Sequence, residues 1–560
     1  MGDRTGRREL TWTAIVLGIG LAVVFGAANA YLGLRVGLTV SASVPAAVIS
    51  MGVLRFVLRR TSVLENNMVQ TIGSACEALA GGVIYTMPAL YLWADEGLCA
   101  PPGFLSLTVI ALLGGLLGVL FMVPLRKPLV VDEEKTLVYP EGRACADVIR
   151  AGEKGAKHAS LVFGGLLFAV ALKFVTDSLK WIPGSVCVPF RKLRGEIDCE
   201  ISAALTGVGF IVGLKVASFR FFGALLGWMV LVPLFCRFSD AAAAVYAEGG
   251  VVAVWREYVR YVGAGAIAAG GFFSLVKSVP LFVRTFRDSW RGVRGGPAGE
   301  DLPLGRVIAG VVCIVALLAF LPVVPVGVGG ALLMALFGFF FAAVSARMVG
   351  LVGSSNNPIS GMTIATLVVS AFALKACGTV GAAGMTAAIA IGSVVCIVAA
   401  IAGDTAQDLK TGRLLGATPW KQQIGEFVGV IASGIAIVGV LLLLHRAWGF
   451  GGNEIPAPQA TLMKVIVEGI MGGTLPWELM LVGVGLATVL VLCRVPVMPF
   501  AIGLYLPIKL STAVFAGGLL RTLADRRFPK LTDGGILVSA GMIAGEGLCG
   551  ILLALLTVMA

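Results

Sequence analysis

Runs of about twenty apolar residues recur from Trp12 to the C-terminus, divided by short stretches of glycine, proline and charge. A hydrocarbon core about 30 Å thick takes roughly 20 helical residues per crossing, so the pattern predicts an all-α polytopic membrane protein. A transmembrane β-barrel would show ten-residue alternating segments instead. Apolar segments fall near 12–34, 36–58, 65–90, 104–124, 159–182, 201–217, 219–236 and 256–280. A second series falls near 304–325, 327–346, 350–375, 379–402, 422–446, 461–474, 477–494, 496–523 and 532–558. Roughly fourteen to seventeen crossings fit this pattern. An Arg- and Gly-rich stretch, 283–303, reads as a cytoplasmic linker between two halves of the bundle, 1–282 and 304–560.

Within the apolar background one stretch repeats. VGLTVSASVPAAVISMGVL (36–54) lies over IGLYLPIKLSTAVFAGGLL (502–520) with six identities in nineteen. VGLVGSSNNP (349–358) and, more weakly, VGLKVASFRFFGALLGW (212–228) share its opening. The element that follows repeats as well: MVQTIGSACEALAGG (68–82) lies over YVRYVGAGAIAAGGF (258–272), IGS recurs at 391–393, and GEGLCG (545–550) lies over CEALAG (76–81). The common order predicts a four-fold internal repeat.

Composition supports the class. Of 560 residues 58% are hydrophobic and 13% charged, and 75 are glycine. The net charge of +12 would suit nucleic-acid binding, but the basic residues sit between apolar segments. Arg4, Arg7 and Arg8, Arg55, Arg59 and Arg60, Arg126 and Lys127, and Lys410, Arg413 and Lys421 follow the positive-inside distribution, with the N-terminus cytoplasmic. The first apolar run has no small-residue cleavage site, so it reads as a first crossing and not as a removed signal. Two histidines, His158 and His445, and eleven cysteines without a CxxC pair offer no metal-ligand set, and no cofactor is expected. Cys187 and Cys199 flank a loop and could pair.

The chemistry lies where polarity interrupts the apolar pattern. GSSNNP (353–358) places Ser354, Ser355, Asn356 and Asn357 before a proline at membrane depth, where irregular backbone is tolerated only if it is buried in protein or lines a wet cavity. Discontinuous helices of this kind carry substrate sites in secondary transporters. The plainer reading is an exposed loop. Tyr505 and Lys509 in the related stretch are the facing candidates for substrate binding. Glu77 and Glu546 occupy one place in two copies of the repeat, where a charge costs about 2.5–3.5 kcal/mol. They are candidate proton carriers, or else structural hydrogen-bond acceptors. YPEGRACADVIRAGEKG (139–155) and AGDTAQDLKTGRLLGATPWKQQIGEFVG (402–429) are charged and amphipathic, and they read as cytoplasmic helices or gates. Glu141, Arg143 and Asp404 are the gate candidates, although Asp404, Asp408, Lys410 and Arg413 read first as solvated.

Taken together, NNMVQTIGSACEALAGGVIYTMPAL, YPEGRACADVIRAGE, GSSNNPISGMT, GDTAQDLKTGRLLGATPWKQQIGE, PFAIGLYLPIKLSTAVFAGG and SAGMIAGEGLCGI resemble the oligopeptide transporter family. The closer likeness is to its prokaryotic branch, which is similar to the plant yellow-stripe-like metal-chelate transporters. The resemblance implies proton-coupled uptake of small peptides or metal chelates across the plasma membrane by about sixteen helices built through duplication, and a possible homodimer. The proline-rich motifs of the peptide-carrying fungal and plant branch are missing, so the cargo stays open between the two classes. An enzyme is disfavoured by the lack of GxSxG, HExxH or a GxGD aspartyl pattern. A passive channel or facilitator for a small polar solute is the alternative.

Overall fold

The computed structural model describes residues 9–37, 39, 41–59, 62–152, 157–270, 272–273, 280, 300–354, 357–472, 476–528 and 532–559. Nearly all of this is helix. Helix α1 (Trp12–Val36) stops at Gly37, whose left-handed φ of 76° only glycine adopts freely, and α2 (Ser43–Gly52) resumes after an unwound stretch. Helices α3 (Val63–Thr86) and α4 (Pro88–Asp95) continue one another, and α5 (Phe104–Arg126) returns. The amphipathic α6 (Pro140–Gly152) and then α7 (Lys157–Lys173) lead to an antiparallel hairpin, β1 (Ser185–Phe190) and β2 (Gly195–Glu200). Helices α8 (Ala203–Val212) and α9 (Leu214–Leu226) meet at Gly213, followed by α10 (Val232–Phe238), α11 (Asp240–Val254) and α12 (260–270).

The second half contains α13 (Leu304–Phe320), α14 (Val328–Val352), α15 (Ile359–Ala376), the 35-residue α16 (Gly381–Leu415) and α17 (Pro419–Trp448). It ends with α18 (Pro458–Met471), α19 (Trp477–Leu492), α20 (Val497–Tyr505), α21 (Ile508–Arg527) and α22 (Thr532–Met559). Among the described residues nine helical stretches are long and apolar enough to cross a membrane, and five shorter apolar helices accompany them. The chain is a multi-pass membrane protein.

Among the described residues the helical backbone is interrupted in each of the stretches compared above, at 37, 39 and 41–42, at 213, at 353–354 and 357–358, and at 506–507. Gly213 and Gly353 hold the same conformation, φ 86° with ψ 164° and 163°. The interruption is not in one register: Gly350 and Gly503, which lie over Gly37 in sequence, are still helical, and the chain breaks three residues later. Of the 283–303 stretch, only 300–303 lies within the described residues. There Asp301 accepts from Arg126 Nε and Nη2 at 2.5 and 2.9 Å and from Gln423 Nε2 at 2.7 Å, tying the start of the second half to α5 and α17.

Candidate functional site

Helix α3 carries a polar stripe at helical spacing: Asn67, Gln70, Thr71, Ser74 and Glu77, all buried. Glu77 lies fourteen residues into the helix, about 21 Å along its axis, near the middle of a bilayer core. Its carboxylate accepts from the Ala42 backbone N–H, where the unwound chain turns into α2. This orphan amide at a helix start is a natural partner for an anion.

Helix α16 faces that stripe. Gln70 Nε2 donates to Asp408 Oδ1 at 2.6 Å, and Ser74 Oγ donates to Asp408 Oδ2. Gln422 of α17 donates to the Asp408 carbonyl at 3.0 Å and to Thr71 Oγ1 at 3.1 Å. Asp404, one turn earlier, has no partner for Oδ2 among the described residues, and Glu426 of α17 lies against Asp408 and Thr405 outside regular hydrogen-bond geometry. Asp404 is close enough to feel the charges of Asp408, Glu77, Glu426 and Glu141. Four elements thus bring five carboxylates together. Among the described residues no Lys or Arg forms an ion pair with Glu77, Asp404, Asp408 or Glu426. Two like charges 4 Å apart repel by about 4 kcal/mol at an effective dielectric of 20, so the cluster calls for a positive partner.

The third break closes onto the same cluster. Ser354 Oγ donates to Glu141, at the start of α6, and a Cβ on Gly353 would meet Glu141 Oε1 at 2.7 Å. Asn357 Nδ2 donates to Ser345 Oγ at 2.7 Å, while its buried Oδ1 has no partner. Asn357 Nδ2 also lies 3.0 Å from where a Cβ on Gly403 would sit, one residue from Asp404. The Gly142 N–H donates to Gln407 Oε1 at 2.8 Å, and Thr411 Oγ1 donates to the Gly142 carbonyl at 3.0 Å. Gly353, Ser354 and Asn357 are therefore packed against α6, α14 and α16 and do not stand on an exposed loop. Ser355 and Asn356 lie outside the described residues. Arg143 is exposed.

One expectation is corrected outright. Asp404, Asp408 and Lys410 are not solvated but 3%, 0% and 3% exposed. The reason is length: α16 runs straight through the charged block, and α3, α6 and α17 cover it. Lys410 bonds Glu134 at 3.0 Å, joined by Arg413 at 3.0 Å, and these two hydrogen bonds hold the Glu134 carboxyl below its ordinary range. The thiols of Cys187 and Cys199 are free, because Cys187 faces Asp198 across the hairpin and Cys199 faces Val186. Neighbouring rungs point to opposite faces of the sheet.

The second embedded acid belongs to a different centre. Glu546 accepts from Ser202 Oγ at 2.7 Å and from the Ala204 N–H at 2.8 Å, so it too sits at a helix start. Arg35, at the end of α1, lies 4.0 Å from Glu546 and makes a two-pronged bond to Glu200 at 2.8 and 3.0 Å. Lys509 Nζ stands 3.8 Å from Glu200 and 3.7 Å from Glu454, so its charge is offset by these two acids and not by Glu77 or Glu546. The Tyr505 hydroxyl accepts from Arg260 Nη2 at 2.9 Å and donates to Thr461 Oγ1 at 3.0 Å.

Sequence reasoning missed Arg220, on α9. It is 3% exposed, and among the described residues none of its guanidinium nitrogens Nε, Nη1 and Nη2 has a hydrogen-bond partner. A buried charge left uncompensated costs several kcal/mol, so Arg220→Met is expected to leave thermal stability in detergent unchanged or raise it by about 1 kcal/mol or more. A clear fall in the melting temperature would mean that the guanidinium has a partner in the folded protein.

Comparison with known proteins agrees with this architecture. The family model described as OPT oligopeptide transporter protein matches residues 9–557. A Haemophilus influenzae protein named as an oligopeptide transporter is 34% identical, over 94% of this chain and 92% of its own. The iron-phytosiderophore transporter YSL15 of Oryza sativa is 24% identical, over 87% of this chain and 80% of its own. The metal-nicotianamine transporter YSL2 of Arabidopsis thaliana is 22% identical, over 83% and 78%. A match across almost the whole length, with helices broken where the sequence is polar and carboxylates gathered behind the breaks, places the chain in the oligopeptide transporter family, whose members are transporters and not enzymes.

Proposed function

We propose that this protein is a proton-coupled symporter of small peptides or metal chelates in the plasma membrane, with its N-terminus cytoplasmic and its bundle built from four related units. The observation that carries the reading is the cation-free cluster of Glu77, Asp404, Asp408 and Glu426, packed against the GSSNNP break through Glu141. A proton entering the cluster removes one of several repelling charges. A barrier to reorientation that depends on those charges falls when the proton binds.

Within this scheme Ser354, Ser355, Asn356 and Asn357 offer hydrogen bonds to cargo beside the proton site. Glu141, with Asp404 behind it, couples the break to α6 and α16, and Arg143 lies at the rim. Glu77 and Asp404 carry the exchangeable proton. Glu546, held by two donors and near Arg35, is the second candidate. The relatives named for peptide and for metal-nicotianamine or phytosiderophore transport suggest cargo with amine and carboxylate groups.

Purified protein in vesicles tests this. An inward proton gradient is expected to drive dialanine or iron–nicotianamine above its external concentration, and an uncoupler is expected to abolish the excess. Uptake that only equilibrates, whatever the gradient, would favour the facilitator reading instead.

A further inference from the structure

A cavity lies away from the carboxylate cluster. About 130 Å³ in volume, it is lined by Glu196, Asp198, Trp228, Asn453, Ile508 and Lys509, among others. By the measure of roughly 10–15 Å³ per water, it has room for about ten waters, and so for the polar ends of a small solute.

One part of its wall is built for an anion. Helix α21 begins at Ile508 after Pro507 with no side-chain cap, and the Leu510 N–H bonds the Pro507 carbonyl at 3.2 Å, which leaves the Ile508 and Lys509 N–H groups and the positive end of the dipole for a ligand. Lys509 carries three donors, and its two ion pairs are no closer than 3.7 Å. Trp228 is 3% exposed, and among the described residues its Nε1–H has no partner. The neighbouring Trp255 stacks on it with centroids 5.4 Å apart and does find an acceptor, the Leu504 carbonyl at 3.4 Å. The stack therefore fixes Trp228 in place while leaving its donor unused.

The hairpin supplies the opposite charge. Asp198 Oδ2 accepts from Ser185 at 3.3 Å, but its Oδ1 has no partner. Burial first, and then the charge of Asp198, push the Glu196 carboxyl above its ordinary range. Two adjacent acids favour a cation between them.

We propose that this cavity is a recognition site for a zwitterionic cargo group: a carboxylate received by Lys509, Trp228 Nε1–H and the start of α21, and an amine received by Glu196 and Asp198. The proposal rests on the transport reading and narrows its cargo to molecules carrying an amine and a carboxylate a few ångströms apart. It also gives Lys509 a binding role distinct from the GSSNNP segment.

The test uses the full protein in phosphatidylcholine vesicles with dialanine, dialanine amide and N-acetyl-dialanine. Wild type is expected to take up dialanine with a KM about tenfold lower than that for either blocked form. Trp228→Phe keeps the ring stack and removes one donor, so it is expected to raise the dialanine KM about tenfold and leave that for dialanine amide unchanged. Asp198→Asn is expected to weaken dialanine but not N-acetyl-dialanine. Wild-type KM values for dialanine in both variants, with accumulation intact, would overturn this site and leave the transport reading standing. A wild type that accumulates neither dialanine nor iron–nicotianamine would remove both. If adding phosphatidylethanolamine to the vesicles raises the melting temperature of wild type but not of Trp228→Phe, and dialanine shifts neither, the cavity holds a lipid headgroup and the cargo assignment falls.

Discussion

Asp404→Asn is expected to abolish proton-driven accumulation. Under an imposed pH gradient, concentrative uptake of dialanine or iron–nicotianamine is expected to fall by about 100-fold or more, while exchange of cargo between the two sides at equal pH continues. The amide matches the carboxylate in shape but cannot take up and release a proton, so the substitution separates coupling from passage. Asp404 is the sharpest place to make it. Asp408 is pinned by Gln70 and Ser74 and Glu77 by the Ala42 amide, whereas Asp404 Oδ2 is buried and bare. Stability moves the other way from activity: removing one of several repelling carboxylates is expected to hold or raise the melting temperature. Glu77→Gln is expected to lose most coupling too. Glu546→Gln, whose carboxylate is held by Ser202 and Ala204, is the informative contrast, with coupling largely retained. Full coupling in Asp404→Asn and Glu77→Gln together would remove the cluster from the mechanism.

The apolar pattern made the helices and the interruptions legible. Long runs of Ile, Leu, Val and Ala have no other stable state in lipid, and the Gly-Ser-Asn-Pro composition of 353–358 resists helix continuation. Glu77 was legible for the same reason, as an isolated charge in an apolar run. The burial of Asp404, a gate candidate, and of Asp408 and Glu426 was not, because they sit in a block that also contains Lys410, Arg413 and Lys421. Local composition there reads as solvent-exposed.

A finer signal was available. Asp404, Asp408 and Thr411 fall on one face of a helix at i, i+4 and i+7, Gln422 and Glu426 repeat that spacing on the next, and α3 shows the matching polar stripe. Three facing polar stripes imply a shared buried seam. The partners of Lys509 were beyond reach, since Glu200 and Glu454 come from a hairpin and a loop that only the tertiary fold brings to α21. Arg220 was hidden for the same reason: a single arginine beside Lys215 reads as a helix end, and its burial follows from how α9 packs.

That packing supplies the second large effect. Gly503→Ala is expected to prevent correct folding, at a cost of about 3 kcal/mol or more. A Cβ on Gly503 of α20 would lie 1.9 Å from the Arg220 carbonyl oxygen of α9, and a Cβ on Gly223 of α9 would lie 1.9 Å from the Phe500 carbonyl oxygen of α20. Both obstacles are backbone, so no side chain can swing aside, and the helices would have to separate by more than an ångström. The neighbouring crossing of α8 and α21 uses the same device, with Gly209 against the Val514 carbonyl at 1.9 Å and Gly517 against the Thr206 carbonyl at 2.0 Å. Small residues at such crossings let van der Waals contact and backbone polarity hold helices together where lipid gives no hydrophobic drive. Size-exclusion profile and melting temperature in detergent measure the effect. Gly439→Ala on α17, where a Cβ meets nothing within 4 Å, is expected to behave as wild type. A Gly503→Ala protein that elutes and melts like wild type would mean that α9 and α20 are not locked together. The broken pair α20–α21 would then be free to slide past Arg220 and Trp228, and the cavity at Lys509 would have no fixed wall.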